Sequence, residues 1–189
     1  MQVKPFAGLM EESGDIGFVR HWDRYCFFSL VDALGHGCRA NGVAMRALAG
    51  LEQHFSQPLD VLLHRLHHTL EGTQGAVASV CRLDLQTGVL EYAGVGNVCL
   101  KLFGSSRKRL MLNEGVLGYM MATPKVGQVQ MRTGDLLLMS TDGLREHFDT
   151  LDFPELESGR AEQIVRRCME ALCKGNDDAS CIALRFGIL

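Results

Sequence analysis

Apolar and polar positions follow two periods along this chain, and the period changes at a few well-marked points. Ile16–Val19 and Arg24–Val31 alternate or run apolar with a period suited to strands, with the polar stretch His21-Trp22-Asp23 between them. Residues 3–10 predict a short strand ahead of them, and Ser13-Gly14-Asp15 reads as a turn. After Gly37 the spacing becomes helical: Ala40, Val43, Ala44, Ala47, Leu48, Leu51 and Phe55 fall on one face. Gln57-Pro58 interrupts this pattern, and Leu59, Leu62, Leu63, Leu66 and Leu70 define a second helix. Strand periods return at Ala76–Asp84 and Val89–Val95, joined by Gln86-Thr87-Gly88 as a hairpin turn, and again at Val98–Phe103. Ser105–Arg109 reads as a polar loop and residues 113–125 as irregular. Gly127–Met131 and Asp135–Thr141 are two more strands. Ala161, Ile164, Val165, Cys168, Met169 and Leu172 mark a third helix, closed by Lys174-Gly175, and Ser180–Phe186 is a final strand.

The order is ββ-αα-βββββ-α-β. Strands come in blocks rather than in strict alternation with helices, which predicts an α+β protein with mainly antiparallel sheets covered by helices. No repeat, linker or low-complexity segment divides the 189 residues, so one domain over 1–189 is expected. Composition adds little: 47% apolar and 22% charged residues are ordinary for a globular chain. A net charge of −3 points to neither nucleic acid nor a membrane surface. No apolar h-region follows Met1-Gln2-Val3-Lys4-Pro5, and no apolar run approaches the roughly 20 residues that span a bilayer. The seven cysteines are odd in number, lack C-x-x-C spacing and sit mostly inside apolar patterns. They read as reduced core residues of a cytoplasmic protein rather than as a zinc site.

Four aspartates share one local setting. Asp32 ends the apolar run Cys26–Val31 and is followed by Ala33-Leu34-Gly35-His36-Gly37. Asp142 ends Leu136–Thr141 and precedes Gly143. Asp15 lies in Ser-Gly-Asp, and Asp177 lies in Asn176-Asp177-Asp178-Ala179-Ser180 just before the last strand. Taken singly, an Asp-Gly pair is a common turn. If strands of one fold stop at a shared edge, however, these carboxylates meet, and their mutual repulsion calls for a cation. Oxygen-only donors favour Mg²⁺ or Mn²⁺ over zinc. Two such ions about 3.5–4 Å apart can polarise a phosphoryl group.

These segments, together with Tyr92-Ala93-Gly94-Val95-Gly96-Asn97 and Thr141-Asp142-Gly143, resemble the metal-dependent protein phosphatases (PPM, type 2C), and within them the bacterial SpoIIE-like branch. The Asp-x-x-Gly-His-Gly piece is the most specific part of the match. The resemblance implies an αββα sandwich with a dinuclear Mn²⁺ or Mg²⁺ centre that hydrolyses phosphoserine or phosphothreonine on proteins. Carried over by position, Asp32 would bridge both ions and Asp142 and Asp177 would complete one. Asp15 and the backbone carbonyl of Ala33 would hold the other, and Asp178 would stand behind the ligands or face solvent. Ala33 and Ser180 depart from the glycine and threonine usual in the family, and neither change removes a carboxylate. His36, four residues after Asp32, is the candidate proton donor to the leaving oxygen. It could equally cap the helix that follows.

Stand-alone domains of this size resemble the RsbX-like phosphatases, which implies phosphorylated STAS-domain proteins of a stress-signalling complex, the stressosome, as substrates; a monomer is expected. Two other functions compete: a catalytically weak module that keeps the fold to bind a signalling partner, and a metallohydrolase for nucleotides or small phosphate esters. Four converging acids argue against the first, and the lack of a Gly-Lys phosphate loop argues against the second. His64, His67 and His68 read as the solvated face of the second helix. Gly94-x-Gly96 reads as a turn rather than a dinucleotide site, and Arg107-Lys108-Arg109 as an exposed tip or a docking contact for an acidic phosphoprotein.

Overall fold

The computed structural model describes residues 1–4, 13–148, 151, 153–154 and 159–187. Among them are three helices, α1 (Gly37–His54), α2 (Leu59–Thr69) and α3 (Ala161–Leu172). The strands of the first sheet are β2 (Asp15–Trp22), β3 (Tyr25–Ala33), β4 (Ala76–Asp84), β5 (Val89–Val95) and β10 (Gly127–Gln130), in the order β10-β5-β4-β3-β2. The second sheet contains β1 (Gln2–Lys4), β6 (Cys99–Phe103), β7 (Lys108–Leu110), β11 (Leu136–Ser140) and β12 (Ala179–Arg185), in the order β1-β12-β11-β6-β7. A short hairpin, β8 (Gly115–Val116) and β9 (Met120–Met121), stands apart. Every pairing between these strands is antiparallel, and one isolated bridge, Val95 to Asn113, is parallel.

Strand alternation sorts the side chains into layers. On β3, Phe27, Val31 and Ala33 pack with Ala40, Val43, Ala44, Ala47 and Leu51 of α1 and with Leu59, Leu62, Leu63 and Leu66 of α2. The intervening Cys26, Phe28 and Leu30 point the other way, against Leu100, Leu102, Leu137, Met139 and Ile182 of the second sheet. That sheet's outer face, with Phe103, Leu136 and Leu138, is covered by Ile164, Val165, Cys168, Met169 and Leu172 of α3. The result is helix, sheet, sheet, helix: the αββα sandwich that the family resemblance implies, within the α+β class expected from the blocks of strands.

Several elements differ from expectation. Asp15 is the first residue of β2, not part of a turn, because it pairs in register with Asp32. The strand predicted over 3–10 is found at Gln2–Lys4, and 5–10 lie outside the described residues. The polar loop at 105–109 is partly β7, paired with β6, and the irregular stretch at 113–125 contains β8 and β9. His67 is not merely solvated: its Nδ1 accepts the Gly118 N–H at 3.1 Å, tying α2 to this hairpin. None of the seven cysteines is in a disulfide; five are buried, Cys38 is exposed and Cys173 is half-buried. Among the described residues no helix is long and apolar enough to cross a membrane.

Candidate metal centre

The gap between the sheets is apolar along most of its length and turns polar at one end. On β3 the inward positions run Cys26, Phe28, Leu30 and then Asp32. On β11 they run Leu137 and Met139, and the next inward position is Thr141. On β12, Ile182 is followed toward the same end by Ser180. The antiparallel β2–β3 register sets Asp15 directly opposite Asp32. Alternation thus places two acids and two hydroxyls on the same rim of the sandwich.

The hydroxyls hold this rim together across the sheets. Thr141 Oγ1 donates to Asp15 Oδ2 at 2.7 Å and accepts the Ser180 N–H at 2.9 Å. The Thr141 N–H in turn donates to the Ser180 carbonyl at 3.1 Å. The loops then add the remaining acids. Asp178 is buried and accepts the Gly14 N–H at 2.7 Å, standing behind Asp15, while its own N–H donates to Asp177 Oδ1 at 2.9 Å. Asp142 is exposed, and its Oδ2 accepts from Asn97 Nδ2 at 3.0 Å. Gly143 follows because a Cβ there would lie 1.9 Å from the Asp178 carbonyl oxygen; only glycine lets the loops carrying Asp142 and Asp178 approach so closely. Gly35 and Gly37, at φ +88° and +75°, turn the chain from β3 into α1.

The electrostatics follow from this crowding. Burial pushes the Asp32 carboxyl up to about 8, and the charges of Asp15, Asp142, Asp177 and Asp178 add to the effect. Burial likewise drives Asp15 up to about 7. The hydrogen bonds from Thr141 and Ser180 oppose the rise, and the charges of Asp178 and Asp142 add to it. One Asp15 oxygen, Oδ1, is sealed from solvent with no hydrogen-bond partner among the described residues. A buried acceptor without a donor is costly, and a cation satisfies it. Among the described residues, no three His, Cys, Asp or Glu groups already close on one point. That is compatible with Mg²⁺, which keeps several waters and takes one or two carboxylates per ion. The oxygen-only donor set and the orphaned Asp15 oxygen therefore fit a hard divalent cation.

Asp15 and Asp32 are paired directly, and Asp142 and Asp177 lie close enough for their charges to act on Asp32. His36 is exposed at the N-terminal boundary of α1, with no side-chain cap hydrogen bond to that helix. Sequence patterns did not reveal the roles of Thr141, Ser180 and Asn97. The inward alternation of β11 and β12 carries the signal for the first two; nothing local marks Asn97 as a partner of Asp142. Beside Asn97 a cleft of about 440 Å³ opens between Leu34 and Met111.

Thr141→Val keeps the shape but strands Asp15 Oδ2 and the Ser180 N–H. Urea unfolding of the metal-free variant is expected to show a loss of about 1–3 kcal/mol.

A double antiparallel sandwich flanked by helices is the fold of the PPM phosphatases. It is shared with a solved structure of RsbX in complex with magnesium: TM-score 0.80, 21% identity, covering 90% of this chain and 86% of that one. A structure from work on the bacterial stressosome, described as a modular system adapted to control secondary messenger signaling, is similar at TM-score 0.89 and 28% identity, over 97% of this chain and 96% of that one. In sequence, residues 23–187 match the model of the stage II sporulation protein E (SpoIIE) family, and the chain belongs to that family, in the PPM branch close to RsbX. The phosphoserine phosphatase RsbX of Bacillus subtilis (strain 168) is 25% identical over 134 residues, 69% of this chain and 67% of that protein.

Proposed function

We propose that this chain, as one cytoplasmic monomeric domain over 1–189, is a Mn²⁺- or Mg²⁺-dependent serine/threonine phosphoprotein phosphatase. Its substrates would be phosphorylated STAS-domain proteins of a bacterial stress-signalling complex. The observation that carries the proposal is the pairing of Asp15 with Asp32 at one rim, near enough to Asp142 and Asp177 for their charges to act on Asp32, with an Asp15 oxygen that is buried and, among the described residues, unpartnered. Likeness to the phosphoserine phosphatase RsbX and to a stressosome structure supports the substrate class.

Asp15 and the Ala33 carbonyl would hold one ion, Asp142 and Asp177 the other, with Asp32 facing both. When bound, the ions supply positive charge to a phosphoryl group in the rim. The protein's own part is to fix the donors. Thr141 fixes Asp15 through one carboxylate oxygen and leaves the other for the ion, and Asn97 does the same for Asp142. His36, exposed four residues after Asp32, would give a proton to the leaving serine or threonine oxygen.

An aryl phosphate and a phosphoserine-bearing STAS protein, each assayed with Mn²⁺ and with chelator, test this function. Turnover of both is expected with the metal and of neither with the chelator; turnover indifferent to the chelator would overturn the proposal. In the same assay His36→Ala should lose about 10²-fold in rate and the fall in rate at alkaline pH. An unchanged profile removes His36 from the reaction.

A further inference from the structure

The basic run Arg107–Arg109 is an obvious surface for an acidic partner, but Arg109 is committed to Glu146. A second pair of guanidiniums has no such tie. Arg39 and Arg46 lie on the exposed face of α1, and among the described residues neither makes an ion pair or hydrogen bond. Gly42 stands between them on the same face, one turn from each, with nothing within 4 Å of the place a Cβ would occupy. The opposite wall is Gly72-Thr73-Gln74, and the shallow, open groove between them measures about 490 Å³. No acid occurs on α1 before Glu52, and Glu71, just before the opposite wall, is already engaged by His68.

One end of this groove borders the turn that follows Asp32. Gln74 is the nearest neighbour of Gly35 in the turn after Asp32, and the Leu34 N–H donates to the Gly75 carbonyl at 3.0 Å. Two guanidiniums seven residues apart on a helix are separated by about 10 Å along its axis, the span of three residues of extended chain.

We infer that the groove between Arg39 and Arg46 docks an acidic segment of the phosphoprotein substrate, reading two carboxylates about three residues apart. This docking presupposes the phosphatase function proposed above. It would hold the substrate chain along α1 while the phosphorylated residue lies at the rim, so binding gains specificity without any change in the chemistry.

Fluorescence anisotropy with labelled phosphoserine peptides tests it. One peptide carries two glutamates three positions apart on the N-terminal side of the phosphoserine and another on the C-terminal side, each with a glutamine counterpart. At low salt one glutamate peptide should bind about tenfold more tightly than its counterpart, the advantage shrinking as salt is added. Arg39→Glu with Arg46→Glu should abolish the advantage, Arg39→Lys with Arg46→Lys should keep most of it, and aryl phosphate turnover should be unchanged in both. If neither glutamate peptide gains over its counterpart, or if the gain survives the double charge reversal, the docking role is wrong. If the parent protein fails to turn over aryl phosphate with Mn²⁺, the phosphatase function falls, while anisotropy still decides the groove.

Discussion

Asp32→Asn should cost about 10³-fold or more in turnover, equivalent to about 4 kcal/mol of transition-state stabilisation. It should also make the metal-free protein more stable at pH 8. The two effects share one cause. Asp32 is half-buried and meets the charges of Asp15, Asp142, Asp177 and Asp178. With a divalent ion present that crowding is a binding site; without one it is repulsion, which a neutral amide relieves at nearly constant shape. An ordinary structural aspartate would show the opposite pattern, with stability lost and activity little changed. Thermal melts with and without Mn²⁺, run beside turnover assays, separate these outcomes. The variant should also lose most of the stabilisation that Mn²⁺ gives the parent protein.

The second large effect is a stability that falls as pH rises in the absence of metal. Asp15 and Asp32 are held near 7 and 8, above their ordinary value of 3.8, so between about pH 4 and 8 the folded state binds more protons than the unfolded chain. Stability therefore declines as pH increases through this window. The cost is absent below it and fully present above it, and each carboxylate contributes up to about 1.4 kcal/mol per pH unit. In a chain of this size each kcal/mol moves the melting temperature by about 2–4 °C, so melts at pH 5.5 and pH 8 should differ clearly. Saturating Mn²⁺ should flatten the dependence, adding about 2.7 kcal/mol at a hundredfold excess over its dissociation constant. A metal-free melt that is flat or rises between pH 5.5 and 8 would mean that burial and neighbouring charge do not raise Asp15 and Asp32.

Much of this was legible in the sequence because strand alternation is a strict rule. The inward run Cys26, Phe28, Leu30 makes Asp32 an inward residue at a strand end, and the helical spacing from Ala40 to Leu51 fixes which face of α1 is covered. The blocks of strands pointed to antiparallel sheets covered by helices, and the family resemblance supplied the αββα order of the layers. What was not legible depends on pairing across long separations. Asp15 reads as part of a turn until Asp32 is set opposite it. Thr141 reads as the end of a strand until Asp15 and Ser180 arrive from distant parts of the chain. Arg109 reads as a free basic tip until Glu146 is brought against it, and His67 as a solvated histidine until the 115–121 hairpin folds over α2. Local propensity carries no information about these partners; only the sheet order does.

The gathering of acids from four separate segments around divalent ions is tested most directly by anomalous scattering from a crystal grown in manganese. The account predicts manganese density within bonding distance of Asp32 and of at least one of Asp15, Asp142 and Asp177. Density confined to lattice contacts, with none bonded to Asp32, would contradict it.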